Sequence, residues 1–114
     1  MLTTAEQFIP VIVSIILGAL IGLEREFSQK AAGLRTNILI CLGACVFTLV
    51  SKHMGLTTDG SVTRIVGHIV GGVGFLGAGA IIQARGNVQG ITTAATIWIV
   101  ASIGVTSGAG LYAL

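Results

Sequence analysis

The chain has 114 residues, of which 54% are hydrophobic and 9% charged, with a formal net charge of +2. Soluble domains carry about 25% charged residues, so this composition, with a mean hydropathy of +0.99, excludes an ordinary water-soluble domain. The six lysines and arginines are scattered, which excludes a basic nucleic-acid-binding patch. We expect an all-α fold: one domain over residues 1–114, a polytopic transmembrane helical bundle with four spans and room for a partial fifth.

The first apolar segment covers residues 8–23. Thr3 and Glu6 before it have the spacing of a capping box, and Pro10 falls within the first turns, where its missing N–H costs least. No Lys or Arg occurs before Arg25, whereas a signal peptide starts basic. The segment therefore reads as an uncleaved anchor with its N-terminus outside. The second segment covers residues 36–51, with Thr36 as a helix cap. The third covers 62–83, and the fourth 90–106. A spanning helix needs roughly 20 residues, so segments one, two and four are short and need polar ends in the interface. The third and fourth form an antiparallel hairpin through the tight turn Arg85-Gly86-Asn87. Ser107-Gly108-Ala109-Gly110 breaks the fourth helix, and the apolar residues 111–114 read as the start of another run. Basic loops stay in the cytoplasm. Arg25, Lys30, Arg35 and Arg85 lie in the first and third connections, against Lys52 and Arg64 in or near the second. The count predicts cytoplasmic loops at 24–35 and 84–89.

Residues 67–79, GHIVGGVGFLGAG, hold six glycines in thirteen positions. Glycine costs about 1 kcal/mol relative to alanine in a helix interior in water. In lipid, helix association depends on close backbone approach, and small residues become an asset. Gly67, Gly71, Gly74 and Ala78 recur on one face, a groove for another helix backbone, and Gly18-xxx-Gly22 repeats the pattern in segment one. The alternative is an interrupted helix whose free backbone groups bind an ion or substrate.

Three polar groups stand against these spans. Glu24 abuts the first, and an ionisable group there needs pairing, snorkelling or a function; Arg35 is its expected partner. The pair reads either as a simple helix anchor or as part of an ion, proton or docking site. Asn37 enters the second span, where it can hydrogen-bond across helices. Asp59 pairs with Arg64 or caps segment three. His68 shares a face with Arg64 and is either a pH switch or, as we favour, a satisfied polar side chain facing another helix. Cys41 and Cys45, four apart, read as small packing residues. Structural zinc wants four ligands, and no such set exists, so no metal and no cofactor is expected. The three threonines Thr92, Thr93 and Thr96 can satisfy their own backbone or bond across helices.

The blocks GLERE at 22–26, AGLRTN at 32–37, Asp59 with Arg64, GVGFLGAGAII at 72–82 and GITTAATIW at 90–98 resemble the hydrophobic domain of the MgtC/SapB family, in order and over most of the chain. Ile91 stands where the family usually has leucine. The resemblance implies a bacterial inner-membrane protein linked to growth under magnesium limitation and to intracellular survival and virulence. It implies a regulator acting through other membrane proteins, in a family where many members have five spans and some a soluble C-terminal domain. By similarity, Glu24, Arg25, Glu26, Arg35, Asn37, Asp59 and Arg64 are the polar positions of interest, and Gly74, Gly77 and Gly79 the matching glycines.

Two functional readings follow. In the first, the small-residue faces bind a partner helix or a second copy of the chain, with a dimer favoured. In the second, the chain is a small transporter or channel for Mg²⁺ or protons. Mg²⁺ prefers octahedral oxygen ligands, and only Glu24, Glu26 and Asp59 are available near the spans, with Asp59 on the opposite side. No arrangement for nucleophilic catalysis or phosphate cradling is present, and no catalytic residue is expected.

Overall fold

The computed structural model describes residues 4–54, 61–84 and 87–112. Four helices, α1 (Thr4–Phe27), α2 (Leu34–Met54), α3 (Ser61–Ala80) and α4 (Ile91–Gly108), are joined between α3 and α4 by a hairpin of β1 (Ile82–Ala84) and β2 (Asn87–Gln89). The strands pair antiparallel, with Gln83 opposite Val88.

On α1 the face turned into the bundle is small and partly polar, and the outward face is large and apolar. The buried stripe of α1 is Pro10, Ser14, Gly18, Gly22 and Arg25, spaced three or four apart, as one helix face requires. Phe8, Ile12, Ile16 and Leu20 point outward, each more than half exposed. In water this would be inverted. In lipid it is expected, because hydrocarbon is as apolar as a leucine and close approach decides the packing.

The centre is α2, which packs most closely on α1 and α4, while α3 rests mainly on α4 and less on α2. Gly18 and Gly22 let α1 approach α2: a Cβ at Gly18 would sit 2.9 Å from Cys41 Cβ, and one at Gly22 would sit 2.7 Å from Leu34 Cα. On the other side of α2, Gly104 and Gly108 do the same for α4. A Cβ at Gly108 would lie 2.7 Å from the Cys45 carbonyl oxygen, and one at Gly104 would overlap that of Cys41. Cys41 and Cys45 are fully buried free thiols at this junction.

Several expectations are corrected. The third segment does not remain helical to Gln83: α3 stops at Ala80, and residues 82–84 are strand. Gly90 explains this. Its φ of 90° is left-handed, and a side chain there would collide with the carbonyl of Ala80. The ends of α3 and α4 are thus brought together, and between them β1 and β2 pair antiparallel, which was not expected of an all-α chain. The fourth helix passes Thr106 and ends at Gly108. Gly110, at φ 78°, is the terminator: Leu111 N–H donates to Thr106 O and Gly110 N–H to Ser107 O, both at 3.0 Å, the Schellman arrangement. The second helix starts at Leu34, so Thr36 lies inside it and does not cap it. Finally, α1, α2 and α4 are long and apolar enough to cross a membrane, whereas the apolar part of α3 is only Val66–Ala80. Thr3, Asp59, Arg85 and Gly86 lie outside the described residues.

Candidate functional site

Two features stand out, a polar knot at one end of the bundle and an open face on α3.

The knot forms where α1 ends. Gln29 N–H donates to Glu26 O and Lys30 N–H to Arg25 O, at 3.1 and 3.0 Å, a second Schellman closure. Here the left-handed residue is Gln29, at φ 54°. Ala32, at φ 55°, turns the chain again into α2. L-residues resist this conformation, so side chains must hold the loop. Arg25 does so from inside. Its side chain is 3% exposed; Nε and Nη2 donate to the Ala31 carbonyl at 3.2 and 2.7 Å, and Nη2 also donates to Thr93 Oγ1 of α4. Hydrogen bonds involving a charged group contribute about 1.5–3 kcal/mol each, so this residue ties α1, its loop and α4 together. Asn37, fully buried, donates through Nδ2 to Ala32 O and Gly33 O at 2.6 and 2.8 Å. It therefore stitches its own loop rather than bonding across helices, and its Oδ1 makes no hydrogen bond. Glu26 Oε1 accepts from Leu34 N–H at 3.3 Å, capping α2 in place of Thr36.

Glu24 and Arg35, expected to pair, form no ion pair; both are exposed, and Glu24 Oε1 instead accepts from Ser28 Oγ at 3.3 Å. Exposed pairs gain little from association. Thr96 and Thr106 bond their own backbone, to Thr92 O and Ser102 O at 2.9 and 2.7 Å, while Thr93 accepts from another helix. Among the described residues, no three of His, Cys, Asp and Glu converge as a metal site would require.

On α3 the glycines divide. Gly77 is buried, with a virtual Cβ 3.6 Å from both Ala94 Cβ and Trp98 Nε1, and Gly74 would reach Trp98 at 3.8 Å. A Cβ at Gly67, Gly71, Gly72 or Gly79 would meet nothing within 4 Å, and Ala78 is exposed. Most of the small face of α3 is thus unfilled by the described residues. Arg64 and His68 are also exposed. His68 lines an apolar cleft of about 550 Å³ between α2 and α3, with Leu39, Gly43, Phe47, Gly72 and Leu76. It therefore faces an opening rather than a packed helix.

Sequence reasoning missed Gly104 and Gly108, although their i,i+4 spacing matched that of Gly18 and Gly22. It named Arg25 without its burial, which only the fold reveals, and it missed Thr93 as its acceptor.

A model of the MgtC family matches residues 11–114. The chain is 50% identical over 96 residues to Protein MgtC of Brucella abortus (strain 2308), covering 84% of this chain and 40% of that protein. It is also 50% identical over 99 residues to Protein MgtC of Salmonella typhimurium (strain LT2), covering 87% and 42%. The chain thus spans about two fifths of the length of the curated relatives it matches. No solved structure matches.

Proposed function

The chain belongs to the MgtC family, and from that premise we propose that it is a non-enzymatic regulatory module of the bacterial inner membrane, acting by helix–helix association. The observation that carries the reading is the open face of α3, where a Cβ at Gly67 or Gly71 would meet none of the described residues within 4 Å. Glycines carry a penalty in a helix, and a small-residue face in lipid repays it when a second backbone closes on it. The occupant is a helix of another membrane protein or a second copy of this chain, a dimer first. In this reading α3 also crosses the bilayer, as the third of four spans, and the loops at 24–35 and 84–89 face the cytoplasm. The links to magnesium limitation and virulence come with the family resemblance and belong to this same proposal.

The test uses the open geometry. The Cβ of a leucine at Gly67 or Gly71 meets none of the described residues within 4 Å, so the fold is expected to stay intact while the approach is blocked. The expected result is loss of self-association or of partner capture in native membranes, with unchanged helicity. Association as in the parent would refute the reading. Transport of Mg²⁺ or protons is the competing activity, and liposomes loaded with Mg²⁺- and pH-sensitive dyes separate the two. Protein-dependent flux abolished by Glu24→Gln would replace the regulator with a transporter.

A further inference from the structure

We propose that the cleft between the α1–α2 loop and the start of α4 binds a phosphate-bearing anion, held by Arg25, Lys30 and the first N–H groups of α4. The cleft is about 400 Å³ and is lined by Arg25, Lys30, Ala31, Gly90, Thr92 and Thr93. A water occupies about 30 Å³ in the liquid, so a phosphate group and several waters fit.

Three observations converge on an anion. First, Arg25 is 3% exposed, yet its hydrogen bonds go only to neutral acceptors, Ala31 O and Thr93 Oγ1. Among the described residues no carboxylate forms an ion pair with it. Buried charges are ordinarily paired. The two nearest carboxylates in sequence are engaged elsewhere, Glu24 with Ser28 Oγ and Glu26 with Leu34 N–H. Second, Lys30 stands at the rim as an exposed second cation. Third, the 18-residue α4 opens into the cleft with no side-chain cap on Gly90 and no acidic residue in its first turn. Its leading N–H groups and dipole favour a negative guest. A planar guanidinium, a mobile ammonium and a helix N-terminus together suit a tetrahedral phosphate.

The phosphate can be a lipid headgroup or a soluble ion, and one experiment separates them. The full chain is placed in nanodiscs of phosphatidylcholine alone or mixed with phosphatidylglycerol. Retained lipid is read by native mass spectrometry, and inorganic phosphate is titrated against phosphorus NMR. The expected result is selective retention of phosphatidylglycerol or saturable phosphate binding. Lys30→Gln, at an exposed position, weakens it by about tenfold, the loss expected for one charge-assisted contact. Lys52→Gln, in the last turn of α2, leaves it unchanged. Phosphatidylglycerol that phosphate cannot displace identifies the membrane as the source, and phosphate binding in phosphatidylcholine discs identifies the soluble ion. Arg25→Gln abolishes either; where it fails to fold, Lys30→Gln decides. Equal retention of both lipids with no phosphate binding, or a Lys30→Gln variant that binds like the parent, overturns the proposal. The proposal uses residues apart from the α3 face and survives or fails independently of helix association.

Discussion

Alanine at Gly104 and alanine at Gly43 are the same substitution in two apolar helices, and the geometry gives them opposite signs. At Gly43 an added Cβ meets nothing within 4 Å, so only helix propensity acts, a gain of about 1 kcal/mol in water. At Gly104 the Cβ overlaps the carbonyl oxygen of Cys41 and lies 2.8 Å from Ala44 Cβ. Carbon atoms rest about 3.5–4.0 Å apart, so α4 must withdraw from α2 by about 1 Å. A backbone oxygen cannot rotate away, which places the overpacking penalty toward the upper part of about 1–3 kcal/mol. Offset by propensity, a net loss of about 1–2 kcal/mol remains. Unfolding in mixed micelles with increasing SDS, followed by the single tryptophan, Trp98, measures both variants. Trp98 sits against Gly74 and Gly77 and reports the attachment of α3 to α4. A Gly104→Ala protein as resistant to SDS as the parent would refute the account of the α2–α4 crossing.

Three further outcomes follow from the same geometry. Gln29→Gly removes a left-handed L-residue and should stabilise the protein by up to about 1 kcal/mol, read in the same titration. Gly90→Ala should destabilise by more than about 1 kcal/mol, since it combines an unfavourable φ with a collision at Ala80 O, and should shift Trp98 emission as α3 swings from α4. Cys41 and Cys45, both 0% exposed, should resist a membrane-permeant maleimide in folded protein and react only as SDS unfolds it; rapid labelling without denaturant would contradict their burial.

Much of the architecture was legible in the sequence because hydrocarbon filters composition. Four apolar runs became four helices, and family membership followed from ordered motif blocks. The limits have physical causes. Gly67-xxx-Gly71 and Gly104-xxx-Gly108 share the same spacing, yet a Cβ on the first pair would meet none of the described residues within 4 Å and the second abuts α2. Spacing defines a face but not what lies opposite it. Ser107-Gly108-Ala109-Gly110 reads as a breaker, but only Gly110 has the left-handed φ of one, while Gly108 remains helical and packs. Arg25 lies among charged neighbours in sequence and would be placed at the interface with them. Its burial arises because the loop carbonyl of Ala31 and the hydroxyl of Thr93, 68 positions away, converge on one guanidinium.

The packing of α3 bears on the order of assembly at the translocon. α1 and α2 pair closely and are neighbours in the chain, so they can join as soon as both have been synthesised. The next helix, α3, emerges before α4, its principal partner. During that interval both its Trp98-facing side and its glycine face stand uncovered by α4. α4 then arrives as a wedge, seating Gly104 and Gly108 on α2 while Gly90 draws the end of α3 against it. The third helix made is therefore among the last secured, and a competing transmembrane segment would find it most accessible during synthesis.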